Sequence, residues 1–449
     1  VKIGVIGGGL TGLTAGYELA KAGHQVVLFE RESYLGGQAS TFEVEGTRLE
    51  KYYHHIFTGD KEMIALIEEL GLTGEMLWLA SQVGFFYQGE VYDFVTPLDL
   101  LRFKPLGFWQ RIRAGLLTLY LQRFGDWRRL EDFTAEEWIR SYGGQQAYEV
   151  IFRPLLRAKF GEFSDQVTMA WLYSKFKDRV GSRSKGMTRE LLGYMDGSFQ
   201  VFVGALAEGI TALGGQVLTG QGVQRVITEG GRVKGVLAED EWPLDRVVAT
   251  VPSFVFLELV PDLPEEYAQQ LRAVTYQSAL CLVLEMKRSL SRIYWMNISD
   301  PAVPFVGAIE HTNLVPPDRY NGHHILYLSN YVSRSDPLYS ASQEDLLGQY
   351  LPSLKEINPE FSEDWVEKLW LFREDAAQPI ITRGYSKRIP AHDTPVEGLY
   401  LANTTQIYPQ DRGMNYSVRL GEIASQLVAR ETEASAATGP TIDRLVGER

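Results

Sequence analysis

The sequence predicts an α/β protein: a parallel, helix-covered sheet interrupted by an inserted α+β unit. Three observations carry this prediction. Residues 1–30 run as apolar stretch, glycine cluster, amphipathic stretch and second apolar stretch, the order of a βαβ unit. The same style returns at about 197–260 and again at 381–430. A different style, richer in Leu, Phe, Arg and hairpin signals, fills 81–196 and 261–380. The expected division is therefore one discontinuous domain of residues 1–80, 197–260 and 381–430, and a second of residues 81–196 and 261–380. The tail 431–449, with its Ser, Thr, Ala and Gly, is expected to be disordered.

The elements follow in order. Val1 to Ile6 reads as a strand, and Leu13 to Ala22 as a helix whose Leu13, Tyr17 and Ala20 share a face, with Gly23 placed as its C-cap. Gln25 to Glu30 reads as a strand buried on both faces, because Val26-Val27-Leu28-Phe29 is continuous. Residues 31–60 read as loop, with an aromatic and histidine run from Tyr52 to Phe57, and Lys61 to Leu70 as a helix closed by Gly71. Gly84 to Phe94 reads as a hairpin about Gln88-Gly89. Helices are expected to dominate from there to about residue 195. A helix over Val201 to Leu213 precedes strands at Gln216 to Leu218, Val223 to Thr228, Arg232 to Ala238 and Arg246 to Thr250. Ala279 to Glu285 and Leu399 to Ala402 read as buried strands, and Tyr416 to Arg430 as the closing helix.

Composition bounds the function. The chain has 449 residues, 45% of them hydrophobic, enough for large cores. Its formal net charge of −13 argues against general nucleic-acid binding. The single cysteine, Cys281, excludes an intramolecular disulfide, a Cys-x-x-Cys pair and a cysteine-built metal site. No signal-peptide pattern or long unbroken apolar run is readable, so a cytoplasmic protein, soluble or peripheral to a membrane, is the expectation.

The chemistry begins at Gly7-Gly8-Gly9-Leu10-Thr11-Gly12, a G-x-G-x-x-G turn between strand and helix. Gly7 permits the tight turn, Gly9 lets backbone approach a pyrophosphate, and Gly12 lets the helix pack close to the sheet. The N–H groups at Leu10 and Thr11 then face the phosphates with the positive end of the helix dipole. Glu30, 18 residues beyond Gly12, ends the next strand where a carboxylate accepts from an adenosine ribose. This is a Rossmann-type dinucleotide site, and the acid favours FAD or NAD over NADP.

Glu30-Arg31 followed by Leu35-Gly36-Gly37-Gln38 resembles the flavin-binding signature of the FAD-dependent amine oxidase, protoporphyrinogen oxidase and phytoene desaturase superfamily. Phe160-Gly161, Gly197-Ser198-Phe199, Val223 to Ile227, Thr250-Val251-Pro252 and Gly398 to Ala402 fall in the same order as in that superfamily. The resemblance implies a GR2-like flavoprotein: a discontinuous FAD-binding domain with an inserted substrate domain. It implies that Glu30 and Arg31 hold the adenosine end, that Gly37 and Gln38 lie near the flavin, and that the backbone of Val223 meets the adenine. Asn403 and residues 413–417, with Asn415, Tyr416 and Ser417, would cradle the pyrimidine end at a helix start. The chain departs from the common pattern at Asn403-Thr404-Thr405 and at Gly413 to Ser417. With no cysteine placed for a link, FAD is expected to be non-covalent.

Few catalytic side chains are required, because the cofactor carries the chemistry. His54 and His55 follow the cofactor segment and could move a proton or orient substrate; the alternative is that their rings pack beside the cofactor. Adjacent histidines point apart, so no metal site is expected. Lys159, among apolar residues, reads as an anion-steering group or as a snorkelling helix residue. Arg383, Tyr385, Arg412 and Asn415 could form one polar wall near the flavin. Residues 97–129 interleave Leu98, Leu100, Leu101, Phe103, Leu106, Phe108 and Trp109 with Arg102, Lys104, Arg111, Arg113, Arg123, Arg128 and Arg129, which suits either a peripheral membrane contact or a core-packed helix pair with solvated arginines. The function expected is an oxidase, dehydrogenase or desaturase taking hydride from a small-molecule C–H and passing electrons to oxygen or another acceptor. The alternatives are a sugar-nucleotide mutase-like isomerase, for which Arg383, Tyr385 and Arg412 are the diphosphate-gripping candidates, and a non-catalytic flavoprotein.

Overall fold

The computed structural model describes residues 1–181 and 190–437. Its organising element is a five-stranded parallel sheet in the order Gln216–Leu218, Gln25–Phe29, Lys2–Ile6, Arg246–Ala249, Leu399–Leu401. These strands come from three separated parts of the chain, and all four pairings are parallel. The helix Leu10–Lys21 crosses one face. It packs against Gln200–Ala212 and against the closing helix Met414–Ala437. That contact is close: a Cβ on Gly421 would meet Thr14 Cβ at 2.6 Å and Thr11 O at 2.7 Å. On the other face, the antiparallel strands Arg225–Glu229, Arg232–Leu237 and Glu241–Pro243 share a core with Phe29, Val247 and Phe256.

A mixed seven-stranded sheet forms the second unit, in the order Val366–Pro379, Tyr276–Met286, His324–Val332, Gly307–Glu310, Trp295–Ile298, Val83–Tyr87, Glu90–Asp93. Its strand Tyr276–Met286 sorts residues by period two. Leu280, Leu282 and Leu284 pack with the helix Gln343–Ile357, while Cys281 and Val283 join the core of the nucleotide-binding unit. Tyr327 donates to the Glu50 carbonyl at 2.7 Å and ties the two units together. A helical layer from Pro97 to Gly181 has its own core around Phe103, Trp138, Phe160 and Trp171. Two of its helices start with capping boxes, Thr96 with Asp99 and Thr134 with Glu137.

Local signals explain the elements that match. Gln88 and Gly89 both take positive φ, +51° and +75°, the two-residue turn a twisted hairpin requires. Gly23 and Gly71 sit at φ +82° and +73° just past their helices. Other expectations need correction. The span 31–60 holds a hairpin, Thr41–Val44 with Thr47–Glu50, turning on Glu45 and Gly46 at φ +49° and +77°. Helices do not run to residue 195: Glu190–Met195 is a strand, paired with Ile56–Phe57 and Met76–Ser81. Its partners lie more than a hundred residues upstream, so no local turn announces it. The closing helix extends past Arg430 to Ala437, so the first seven residues of the expected disordered tail are helical; 438–449 lie outside the described residues.

Candidate functional site

The glycine turn is built by contact as much as by conformation. Gly7 takes φ +110° and donates its N–H to Phe29 O at 2.8 Å. A Cβ on Gly12 would lie 1.9 Å from Gly7 O, so no other residue fits there. Gly9 differs: its Cβ would meet nothing nearer than Gly37 Cα at 3.9 Å. The space over Gly9 is therefore open, and it lies at the N-cap of the Leu10–Lys21 helix, which no side chain caps. An open cradle at an uncapped helix start fits a pyrophosphate. The cofactor segment closes beside it, with Gly36 N donating to Gly8 O at 2.8 Å and Gly37 against Gly9.

A second cluster assembles around Glu30, the residue expected at the adenosine end. Its carboxylate accepts from Gly8 N at 2.6 Å and from Glu32 N at 2.8 Å. A carboxylate has about four acceptor sites, which leaves two for ribose hydroxyls. Arg31 is exposed and pairs with Glu32 at 3.1 Å. The return of the chain brings Val223 to this place: Gln221 N donates to Glu30 O at 2.9 Å, and a Cβ on Gly222 would lie 3.2 Å from Arg31 Cγ.

The other end lies where the cofactor loop, the seven-stranded sheet and the start of the closing helix meet. Gln38 donates to Ala376 O at 3.1 Å and accepts from Arg412 Nη1 at 3.4 Å. Arg412 Nη2 donates to the Tyr331 hydroxyl at 2.8 Å. Ser417 donates N–H and hydroxyl to Gly413 O at 3.0 and 3.1 Å, which starts the helix. Tyr416 donates to Asp178 at 2.9 Å. Asn415 is spent on structure: it accepts from Met63 N at 2.9 Å and donates to Glu62 at 2.8 Å. So is Asn403, which accepts from Thr405 N and donates to Val251 O, both at 3.0 Å.

Lys159 does not snorkel. It is half-buried and ion-paired with Asp411, which also accepts from Lys175 at 2.6 Å and Trp171 Nε1 at 3.3 Å. Burial pulls the Lys159 ammonium well below its ordinary pKa, and the nearby Lys175 and Arg412 act in the same direction. Burial alone would raise Asp411, but Lys159, Lys175 and Arg412 hold it ionised. Nothing local in the sequence marked Asp411 or Tyr331; Tyr331 meets Arg412, and Asp411 meets Lys159, only in the fold. The expected polar wall does not form. Arg383 is exposed and faces Glu137 at 3.4 Å, and Tyr385 donates to Thr405 O at 2.9 Å in the helical core. Neither converges with Arg412 to grip a diphosphate.

His54 Nδ1 lies 2.5 Å from Tyr52 O, and His55 Nδ1 lies 3.1 Å from the Tyr294 hydroxyl. The His55 ring packs against Phe57 and Trp295. Burial lowers His54 to about 4 and His55 to about 3. Both are neutral imidazoles at pH 7 and weak bases, suited to holding hydrogen bonds rather than taking a proton. The one three-member cluster of metal-ligating type among the described residues is Glu45, Glu285 and His323, and there Lys368 already pairs with both carboxylates.

An open glycine cradle at a helix start, beside a parallel sheet with a carboxylate ending its second strand, fits a dinucleotide cofactor. The comparisons agree. The family model described as flavin-containing amine oxidoreductase matches residues 10–429, and the chain belongs to that family. A 15-cis-phytoene desaturase of Synechococcus elongatus is 21% identical over 474 residues, spanning 96% of this chain and 97% of that protein. Among solved structures, an oxidoreductase from Methanosarcina mazei has a TM-score of 0.75 at 20% identity, over 95% of this chain and 100% of that one. A cyclohexylamine oxidase from Brevibacterium oxydans has a TM-score of 0.73 at 16% identity, over 96% and 99%. FAD, when bound, supplies the hydride acceptor. The sugar-nucleotide mutase alternative is not favoured.

Two predictions follow from this geometry. Gly9→Ala will fold like the parent, because its Cβ enters open space, yet will lose FAD affinity at least tenfold in an equilibrium titration; unchanged affinity would place the pyrophosphate elsewhere. The histidines predict a pH dependence. The unfolded chain takes up protons below its histidine pKa of about 6.5, while folded His55 stays neutral to about 3, so stability is lost as pH falls through this window. His55→Gln removes that proton uptake, and its unfolding free energy, measured by urea titration, will fall less than the parent's between pH 7 and 5, by up to ~2 kcal/mol. Parallel slopes would show that His55 titrates normally.

Proposed function

We propose that this oxidoreductase works at an anionic membrane surface on the cytoplasmic side, on a lipophilic small-molecule substrate. It would oxidise a C–H beside nitrogen or conjugation and pass the electrons to oxygen or another acceptor. The observation that carries this reading is the helix Phe108–Phe124, which buries only Ala114 and Leu121. Trp109, Leu116 and Tyr120 stand one above another on its outer face, flanked by Phe108, Leu119 and Phe124, all exposed; Trp109 is 77% exposed and Phe124 66%. Leu98 and Leu101 extend the patch. A monomer in water rarely leaves so many large apolar groups together without a partner.

Charge says which partner. Residues 97–129 carry seven basic residues against two acidic ones, in a chain of net charge −13. Arg102, Lys104, Arg123, Arg128 and Arg129 are all exposed. An apolar face ringed by cations suits a lipid interface with anionic headgroups, each cation near the surface contributing ~1 kcal/mol. A single buried cysteine and no disulfide suit a reducing compartment. No helix among the described residues is long and apolar enough to cross a membrane, so the contact proposed is a surface one.

In this reading, residues 1–80, 197–260 and 381–430 bind FAD and residues 81–196 and 261–380 bind substrate. Gly7, Gly9, Leu10, Thr11 and Gly12 hold the pyrophosphate; Glu30, Arg31 and Val223 the adenosine; Gly37, Gln38 and the backbone of residues 413–417 the flavin. FAD is held without a covalent link, because Cys281 is buried within the substrate sheet and burial raises its thiol pKa.

The chain will cosediment with phosphatidylglycerol vesicles and not with phosphatidylcholine vesicles. The double variant Trp109→Glu/Phe124→Glu will lose at least tenfold in that partition with its FAD content unchanged. Equal binding by parent and variant would contradict the reading, and a variant whose change is instead in oligomeric mass would assign the face to a second copy.

A further inference from the structure

We propose that Arg412 and Lys159 form a subsite for an anionic group on the substrate, of the carboxylate class. The inference rests on the flavin reading of the glycine turn, which places the reacting end of the cofactor beside Gln38.

Arg412 is a half-buried cation that makes no direct ion pair; Asp411 and Glu374 act on it only through longer-range attraction. Its hydrogen bonds go to two neutral acceptors, the Gln38 amide oxygen and the Tyr331 hydroxyl, and its Nε has no partner. No acidic group lies within ion-pair distance of it among the described residues, and the adjacent Asp411 is taken by Lys159, Lys175 and Trp171. Lys159 and Arg412 both approach the Tyr331 ring, with the Lys159 ammonium 6.0 Å and the Arg412 guanidinium 5.8 Å from its centroid. Two cations thus face this ring, and Lys159 shares Asp411 with Lys175. A guanidinium bonded only to neutral acceptors, with its Nε–H unsatisfied, has donor capacity left for an anion that arrives.

The position says what arrives. Tyr331 stands on the seven-stranded sheet and Lys159 on the helix Arg153–Phe160, both outside the nucleotide-binding sheet. Only Gln38 comes from the cofactor loop. The unspent N–H of a guanidinium fork matches a planar carboxylate. A protonated amine would meet the repulsion of Arg412 and Lys175, and of Lys159 when it is protonated, so this corner selects against cationic substrates.

The test uses the FAD-loaded chain, its flavin content measured first, titrated with hexanoate, hexanol and hexylamine while the visible flavin band is followed. Hexanoate will perturb the band saturably and at least tenfold more tightly than hexanol, and hexylamine will not perturb it. Arg412→Gln will weaken hexanoate tenfold or more with FAD content unchanged, and Tyr331→Phe, which frees the guanidinium, will weaken it less. Equal affinity for hexanoate and hexanol overturns the subsite, as does undiminished hexanoate binding by Arg412→Gln. Loss of FAD from that variant also overturns it, by making Arg412 a cofactor residue. A chain that takes up no FAD but still binds hexanoate, read by quenching of tryptophan fluorescence, overturns the flavin reading alone.

Discussion

The structure depends on one close approach: the backbone of Gly12 against the carbonyl of Gly7, where a Cβ would lie at 1.9 Å. That contact lets the first helix leave the first strand within one turn and lie flat on the sheet. The helix in turn receives the closing helix at Gly421, whose missing Cβ admits Thr14 and the Thr11 carbonyl. Two glycines far apart in the chain therefore fix three layers. They also decide where the first helix's free N–H groups point, and so where an anion can sit. Gly9 obeys a different constraint. The fold leaves room there for a side chain, so packing alone does not require glycine at that position.

The first 30 residues were legible because their determinants are local: strand, turn, helix and strand follow within one βαβ unit, and a one-sided pattern identifies each. The Gln88-Gly89 hairpin was legible for the same reason. The hairpin Thr41–Val44 with Thr47–Glu50 was not, because its strands carry Glu43, Thr47 and Arg48 where an apolar alternation would have shown. Glu190–Met195 was hidden because its pairing residues lie far upstream. Sequence order also misled about the second wall of the site. Arg383 and Tyr385 stand near Arg412 in the chain, yet one faces solvent and the other the helical core. Tyr331 and Lys159, distant in the chain, are the ones that meet it. Asn403 and Asn415 sit where cofactor contacts were expected, and their side chains hold local turns and a neighbouring helix.

The charges explain the division of labour in the site. Burial keeps the two histidines neutral, so they add hydrogen bonds without adding charge. The cations collect around Tyr331 and Asp411. The exposed surface repeats the theme at larger scale: an acidic chain keeps one basic, apolar stripe along Phe108–Phe124. An amphiphile with an apolar body and an anionic head satisfies both features, entering from a lipid surface and leaving its head group at Arg412.

The central claim is that the glycine turn and its distant partners bind FAD. The visible absorbance spectrum of the purified chain, with flavin counted after acid precipitation, tests it most directly. One FAD per chain, recovered whole in the supernatant, is the predicted result. A chain that shows no flavin band even after incubation with excess FAD would contradict the account.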